Sequence, residues 1–163
     1  MAILGDMKPA ILLYFLLLAI PAYARLGETS EQIEARYGKP IKATKPESPA
    51  TDAEVYEKNG FQIMVGYYEG KSYYEQFRKP EAKEPHYLQE ITETERHYLL
   101  TANQFSWTNH MQTDKGTIWA SDYGKQPAEA VYGNQVLTIR SLRVKKQREA
   151  DEKKREEENL KDF

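Results

Sequence analysis

The chain has 163 residues, 25 acidic against 23 basic side chains, a formal net charge of −2 and no cysteine. These values exclude a multidomain enzyme, a polytopic membrane protein, a disulfide scaffold and a cysteine-bound zinc site, and the balanced charge argues against an electrostatic nucleic-acid binder. Twelve tyrosines and two tryptophans supply much of the hydrophobic mass, since each such ring buries roughly 150–250 Å².

Residues 1–24 read as an export signal. Lys8 precedes the apolar run Ala10–Ile20, and Pro21 closes it before Ala22-Tyr23-Ala24, a small-x-small cleavage triplet. The run is too short for a bilayer core, which takes about 20 apolar residues. Met7 offers a second start that leaves Asp6 out of the signal. The expected product is a periplasmic or secreted protein beginning at Arg25, without a stable membrane span after cleavage.

From Thr29 the period is helical. Thr29 with Gln32 forms a capping box, Ile33 and Tyr37 make an i, i+4 stripe, and Gly38 and Pro40 end the helix after about two turns. A proline-rich loop is expected over 42–52. The period then becomes two, and Asn59-Gly60, the dipeptide preferred in type I′ hairpin turns, separates two strands. Phe61, Ile63, Val65 and Tyr67 share one face of the second of these. After Glu69-Gly70, a third strand over 71–79 is expected to place Tyr73, Glu75 and Phe77 on one face, which completes an antiparallel meander.

A second linker runs over 79–87. A helix follows, capped by Thr94 or by Thr92 with Glu95, with Tyr98, Leu99 and Ala102 facing inward and Asn103 in a left-handed cap. Strands are expected over 105–112, 117–123, 128–132 and 136–142, with Trp107 and Trp119 as cross-strand core residues. At an offset of 65 residues Leu26 meets Ile91, Thr29 meets Thr94 and Gly38 meets Asn103. This suggests two helix-plus-sheet units, 25–79 and 87–142. Residues 143–163 carry i, i+4 opposite-charge pairs such as Glu149/Lys153 and Lys153/Glu157 and almost no apolar stripe, as in a solvated charged helix. The expected fold class is α+β: short helices on antiparallel meander sheets, one domain over 25–142, then the charged helix.

The segment Gly27–Pro40, with Gly27, Thr29, Ile33, Tyr37, Gly38 and Pro40 at fixed positions, resembles the opening of the SmpA/OmlA-type lipoproteins of outer-membrane barrel assembly and of the β-lactamase-inhibitor-like repeats. Phe61–Lys71 is similar to their strand followed by an acidic-Gly-Lys turn. The chain also resembles short exported bacterial proteins that begin ARLGET and end in a GNxLTI-type strand, here Gly133–Ile139. The resemblance implies a small exported α+β fold and, by analogy only, a binding role. The lipidated cysteine of the barrel-assembly members is absent, and no inhibitory loop transfers.

Catalytic signals are sparse. His86, His97 and His110 match no zinc spacing, there is no nucleophile elbow, and the glycines are scattered among turns. Glu57, Glu69 and Glu75 lie on or beside the meander, where solvent-facing or turn roles account for them. Tyr67-Tyr68 and Tyr73-Tyr74 flank one turn. Either both faces are covered, or Tyr68 and Tyr74, with Arg78 nearby, form an exposed aromatic patch for stacking on a sugar or a protein. The expectation is a non-enzymatic module without cofactor or metal that binds an envelope protein or a cell-wall polymer. The alternatives are a scaffold acting through the charged helix and a small envelope hydrolase.

Overall fold

The computed structural model describes residues 26–81, 87–103, 106–107, 109–114, 116–121 and 127–160. The expected signal, His86, Phe105 and Tyr123 lie outside these residues. In chain order the elements are α1 (Ser30–Tyr37), β1 (Lys42–Thr44), β2 (Asp52–Lys58), β3 (Phe61–Tyr68), β4 (Lys71–Pro80), β5 (Leu88–Gln89), α2 (Glu93–Ala102), β6 (Asn109–Thr113), β7 (Gly116–Ser121), β8 (Ala128–Gly133), β9 (Val136–Ser141) and α3 (Leu142–Leu160).

The strands form one antiparallel sheet in the order β1-β2-β3-β4-β9-β8-β7-β6, with β5 paired on the far end of β4. The last strand of each expected unit, β4 and β9, pairs with the other through Glu75 opposite Ile139 and Phe77 opposite Leu137. Two meanders are thus joined back to back through their last strands. The offset of 65 carries inward-facing Ile63, Val65 and Tyr67 of β3 onto Ala128, Ala130 and Tyr132 of β8. Two expected units share a single sheet.

Both short helices cover the same face, here the inner face. Thr29 caps α1 and Gln32 reciprocates as the box requires, while Ile33 and Tyr37 are buried. The cap of α2 is Thr92 with Glu95. Leu99 and Leu100 turn inward, and Tyr98 is left 70 % exposed rather than buried. Asn103 has φ −85 instead of a left-handed cap, and its side-chain amide donates to the Leu99 carbonyl at 3.0 Å. The inner core joins Leu26, Ile33, Tyr37, Tyr56, Ile63, Val65, Tyr67, Phe77, Ile91, Leu99, Leu100, Leu137 and Ile139. Trp107 and Trp119 pack against it half-buried. Trp107 is not cross-strand, since it lies in the α2–β6 connection and its indole N–H donates to the Leu100 carbonyl.

The meander departs from simple alternation at one point. Gly66 opposes Tyr74 and Tyr67 opposes Ser72, so Tyr73 is an extra residue in β4. Such a bulge turns two successive side chains toward one face. Tyr73 therefore leaves the face of Glu75 and Phe77 and joins Tyr74 on the outer face, their rings meeting edge to face at 5.8 Å. Ser72 takes the inner position and accepts from the Gly27 and Glu28 amides.

The segment expected as a proline-rich loop begins with a strand, β1, that pairs with β2, and from the loop that follows the Glu47 amide donates to the Tyr74 hydroxyl.

Candidate functional site

On the inner face the two helices do not close over the sheet. A cleft of about 390 Å³ lies between the last turn of α1 and α2, with Ile63, Phe77 and Leu99 at its base and Phe61 and Tyr98 among its walls. The Asn59-Gly60 turn holds one end open. Both residues have positive φ, 52° and 79°, which keeps β2 and β3 in tight register and lifts Lys58 and Asn59 to the rim. A second recess of about 520 Å³, lined by Glu57, Gln62, Pro80 and Glu81, shares Lys58, Asn59 and Phe61 with the cleft.

The walls are fixed by polar ties. Glu75 is 0 % exposed, and its carboxylate accepts from the Tyr37 hydroxyl at 2.6 Å and from Arg36 at 3.1 Å. Arg36 also pairs with Glu28, and its guanidinium lies 4.7 Å from the Tyr37 ring centre. The Lys58 ammonium donates to the Arg36 carbonyl. Across the cleft, Lys79 pairs with Glu95 at 2.9 Å and stands 5.9 Å from the Phe61 ring centre. The Lys79 hydrogen bond, aided by bonds from Thr92, holds the Glu95 carboxyl below its ordinary value.

A second inner-face network lies under the start of α1. Glu54 accepts from Ser30 at 3.0 Å and from Tyr56 at 2.5 Å, and the Tyr56 and Tyr67 hydroxyls are 3.0 Å apart. Burial raises the pKa of both phenols.

Of the two alternatives for the outer face, the exposed patch does not form, and Tyr68, Tyr74 and Arg78 are not brought together. Tyr74 is only 2 % exposed, because its ring lies across Gly66 and the 45–51 loop covers it, with the Glu47 amide donating to its hydroxyl at 3.2 Å. Tyr68 is half-buried at the hairpin end, opposite Lys71, in a recess of about 190 Å³ that includes Arg143 and Val144 of α3. Arg78 lies at the other end of the hairpin, opposite Gln62, to which its Nε donates at 2.8 Å. Of the carboxylates considered for chemistry, Glu75 is sealed in the core, Glu57 lines the larger recess and Glu69 lies beside Tyr68. His97 and His110 are exposed on α2 and β6. Among the described residues no group of three or more His, Cys, Asp or Glu is placed to hold a metal ion, and no helix is long and apolar enough to cross a membrane.

Sequence reasoning missed Tyr98, Phe61 and Arg36. The available signal for Tyr98 was the adjacent pair Leu99-Leu100, whose wholly apolar side chains compete with it for the buried stripe of α2. Comparison with known protein families, with curated proteins and with solved structures finds no match to this chain.

Proposed function

We propose that this protein is an exported envelope or secreted binding module, non-enzymatic, that holds a protein segment or polymer in the cleft between α1 and α2. The observation that carries this reading is the cleft itself. It has an apolar base, its rim ring Tyr98 is exposed, and salt bridges fix the elements on either side. A concave apolar site with a few placed polar groups is the usual form of a recognition pocket. The signal-like residues 1–24 and the resemblance of Gly27–Pro40 to small exported domains support the compartment. The cleft replaces the outer sheet face as the binding surface, since Tyr74 is covered there.

The test is capture from envelope extract and from isolated cell wall, with residues 25–163 as bait beside Tyr98→Ala and Phe61→Ser variants. Selective capture that both variants lose supports the reading, while capture that both retain removes the cleft from it. A second reading, a scaffold acting through α3, has its own support: beyond Asp151 the helix is exposed where described and carries the Lys153–Glu157 pair. Deleting 143–163 abolishes capture on that reading and leaves it intact on the first.

A further inference from the structure

The bulge at Tyr73 has no role in the cleft, which lies on the other face of the sheet. Its effect is to send one tyrosine to the outer face, where α3 leaves the sheet. There Tyr73 is 4 % exposed and lines a recess of about 240 Å³ with Ser48, Pro49, Arg140, Lys145, Arg148, Glu149 and Glu152. Bulges are over-represented beside functional sites because they re-aim a side chain in this way.

The hydrogen-bonding groups of the recess are mostly donors. Arg140 spends its Nε on Glu129 at 2.7 Å, and Arg148 spends its Nε on Glu152 at 2.6 Å and Nη1 on the Ser48 hydroxyl oxygen. Both Nη atoms of Arg140 and Nη2 of Arg148 have no partner among the described residues, and neither do the Lys145 ammonium and the Tyr73 hydroxyl. Burial pushes the Tyr73 pKa up, against the opposing pull of Arg140, so the hydroxyl keeps its proton and remains a donor. Glu149 is the one lining carboxylate without a described ion pair.

We propose that this recess is a phosphate-binding site, taking one phosphate group between Arg140, Lys145, Arg148 and the Tyr73 hydroxyl. A tetrahedral oxyanion uses converging N–H and O–H donors that have no acceptor of their own, and arginine is suited to it by its planar fork. Glu129, Glu149 and Glu152 offset the three cations, so binding is modest and falls with salt. The phosphate is either free or the phosphodiester of a polymer; the recognising chemistry is the same.

Amide-detected NMR titration of residues 25–163 tests this, with inorganic phosphate, a glycerol-phosphate polymer and chloride at matched ionic strength as three arms. Saturable shifts at Ser48, Tyr73, Lys145 and Arg148 are expected with phosphate or the polymer and not with chloride, and the arm that saturates identifies the source. Tyr73→Phe and Lys145→Gln each weaken that binding by about tenfold, whereas Lys154→Gln, farther along α3, leaves it unchanged. Both test variants preserve packing, because one keeps the ring and the other alters an exposed side chain. Shifts that fail to saturate in either arm, that chloride reproduces, or that survive both variants overturn the proposal.

Discussion

Glu75 shows how one buried charge organises this protein. It sits on the central strand pair opposite Ile139, fully buried, yet both of its oxygens are used, one by Tyr37 and one by Arg36. Removing it takes a buried carboxylate from Tyr37 and from Arg36, which keeps only its pair with Glu28, so Glu75→Ala is expected to cost about 3 kcal/mol. Tyr37→Phe, which leaves the ring in place, is expected to cost about 1–2 kcal/mol. Urea unfolding with unchanged m-value measures both. Gly66 is a second such position, because a Cβ there would stand 2.1 Å from the Tyr74 ring. Gly66→Ala must displace a buried ring held by the 45–51 loop and is expected to destabilise by about 1–3 kcal/mol; a substitution without effect on the unfolding midpoint would show that the ring is not held there.

At the scale of elements, the two short helices depend on their caps and on what they cover. Eight residues of α1 are too few to stand alone, and its box ties the first turn to Thr29. Thr29→Ala is expected to cost about 1 kcal/mol, read as a fall in Tm of a few degrees. For α2 the tie is partly ionic. The Glu95 carboxyl titrates below its ordinary value of 4.5 because Lys79 and Thr92 bond its charged form. A depressed folded pKa stabilises the native state above the unfolded value, and this is lost as pH falls through the folded one. Glu95→Gln should therefore flatten the acid limb of the stability curve and change little once the pH lies below the folded pKa, and an unchanged acid limb would refute that linkage.

For the molecule as a whole, the continuous sheet predicts one cooperative transition. β4 and β9 pair from Tyr74 opposite Arg140 to Phe77 opposite Leu137, and the inner core spans both units. The described tryptophans, Trp107 and Trp119, both lie in the second unit, whereas Tyr56, Tyr67, Tyr73 and Tyr74 lie in the first. Tryptophan fluorescence and tyrosine near-ultraviolet dichroism are expected to give coincident unfolding curves; separated midpoints would mean that the units unfold independently. The same four phenols, raised above 10.0 chiefly by burial, add an alkaline prediction. A raised folded pKa favours the native state below the unfolded value, and that favour disappears as pH rises beyond it. Their ionisation, followed at 295 nm, is expected as a cooperative step together with unfolding above pH 10, not as a simple titration.

The sequence by itself determined the local grammar. Capping residues, the Asn59-Gly60 turn and the period-two run from Phe61 act within a few residues, so Thr29, Ile33, Tyr37 and the core face of β3 were readable from the chain, as was the α+β class with its charged terminal helix. Only the tertiary structure decided what depends on distant partners. The bulge at Tyr73 exists in the register between two strands, and no single-strand pattern reports it. The phase of α2, and with it the exposure of Tyr98, followed from which of its side chains the sheet buries, Leu99 and Leu100. The pairing of β4 with β9 joined two units into one sheet and placed a glutamate at its centre. Side-chain alternation and helix capping are written in neighbouring residues, whereas clefts and recesses arise between segments that the sequence holds far apart.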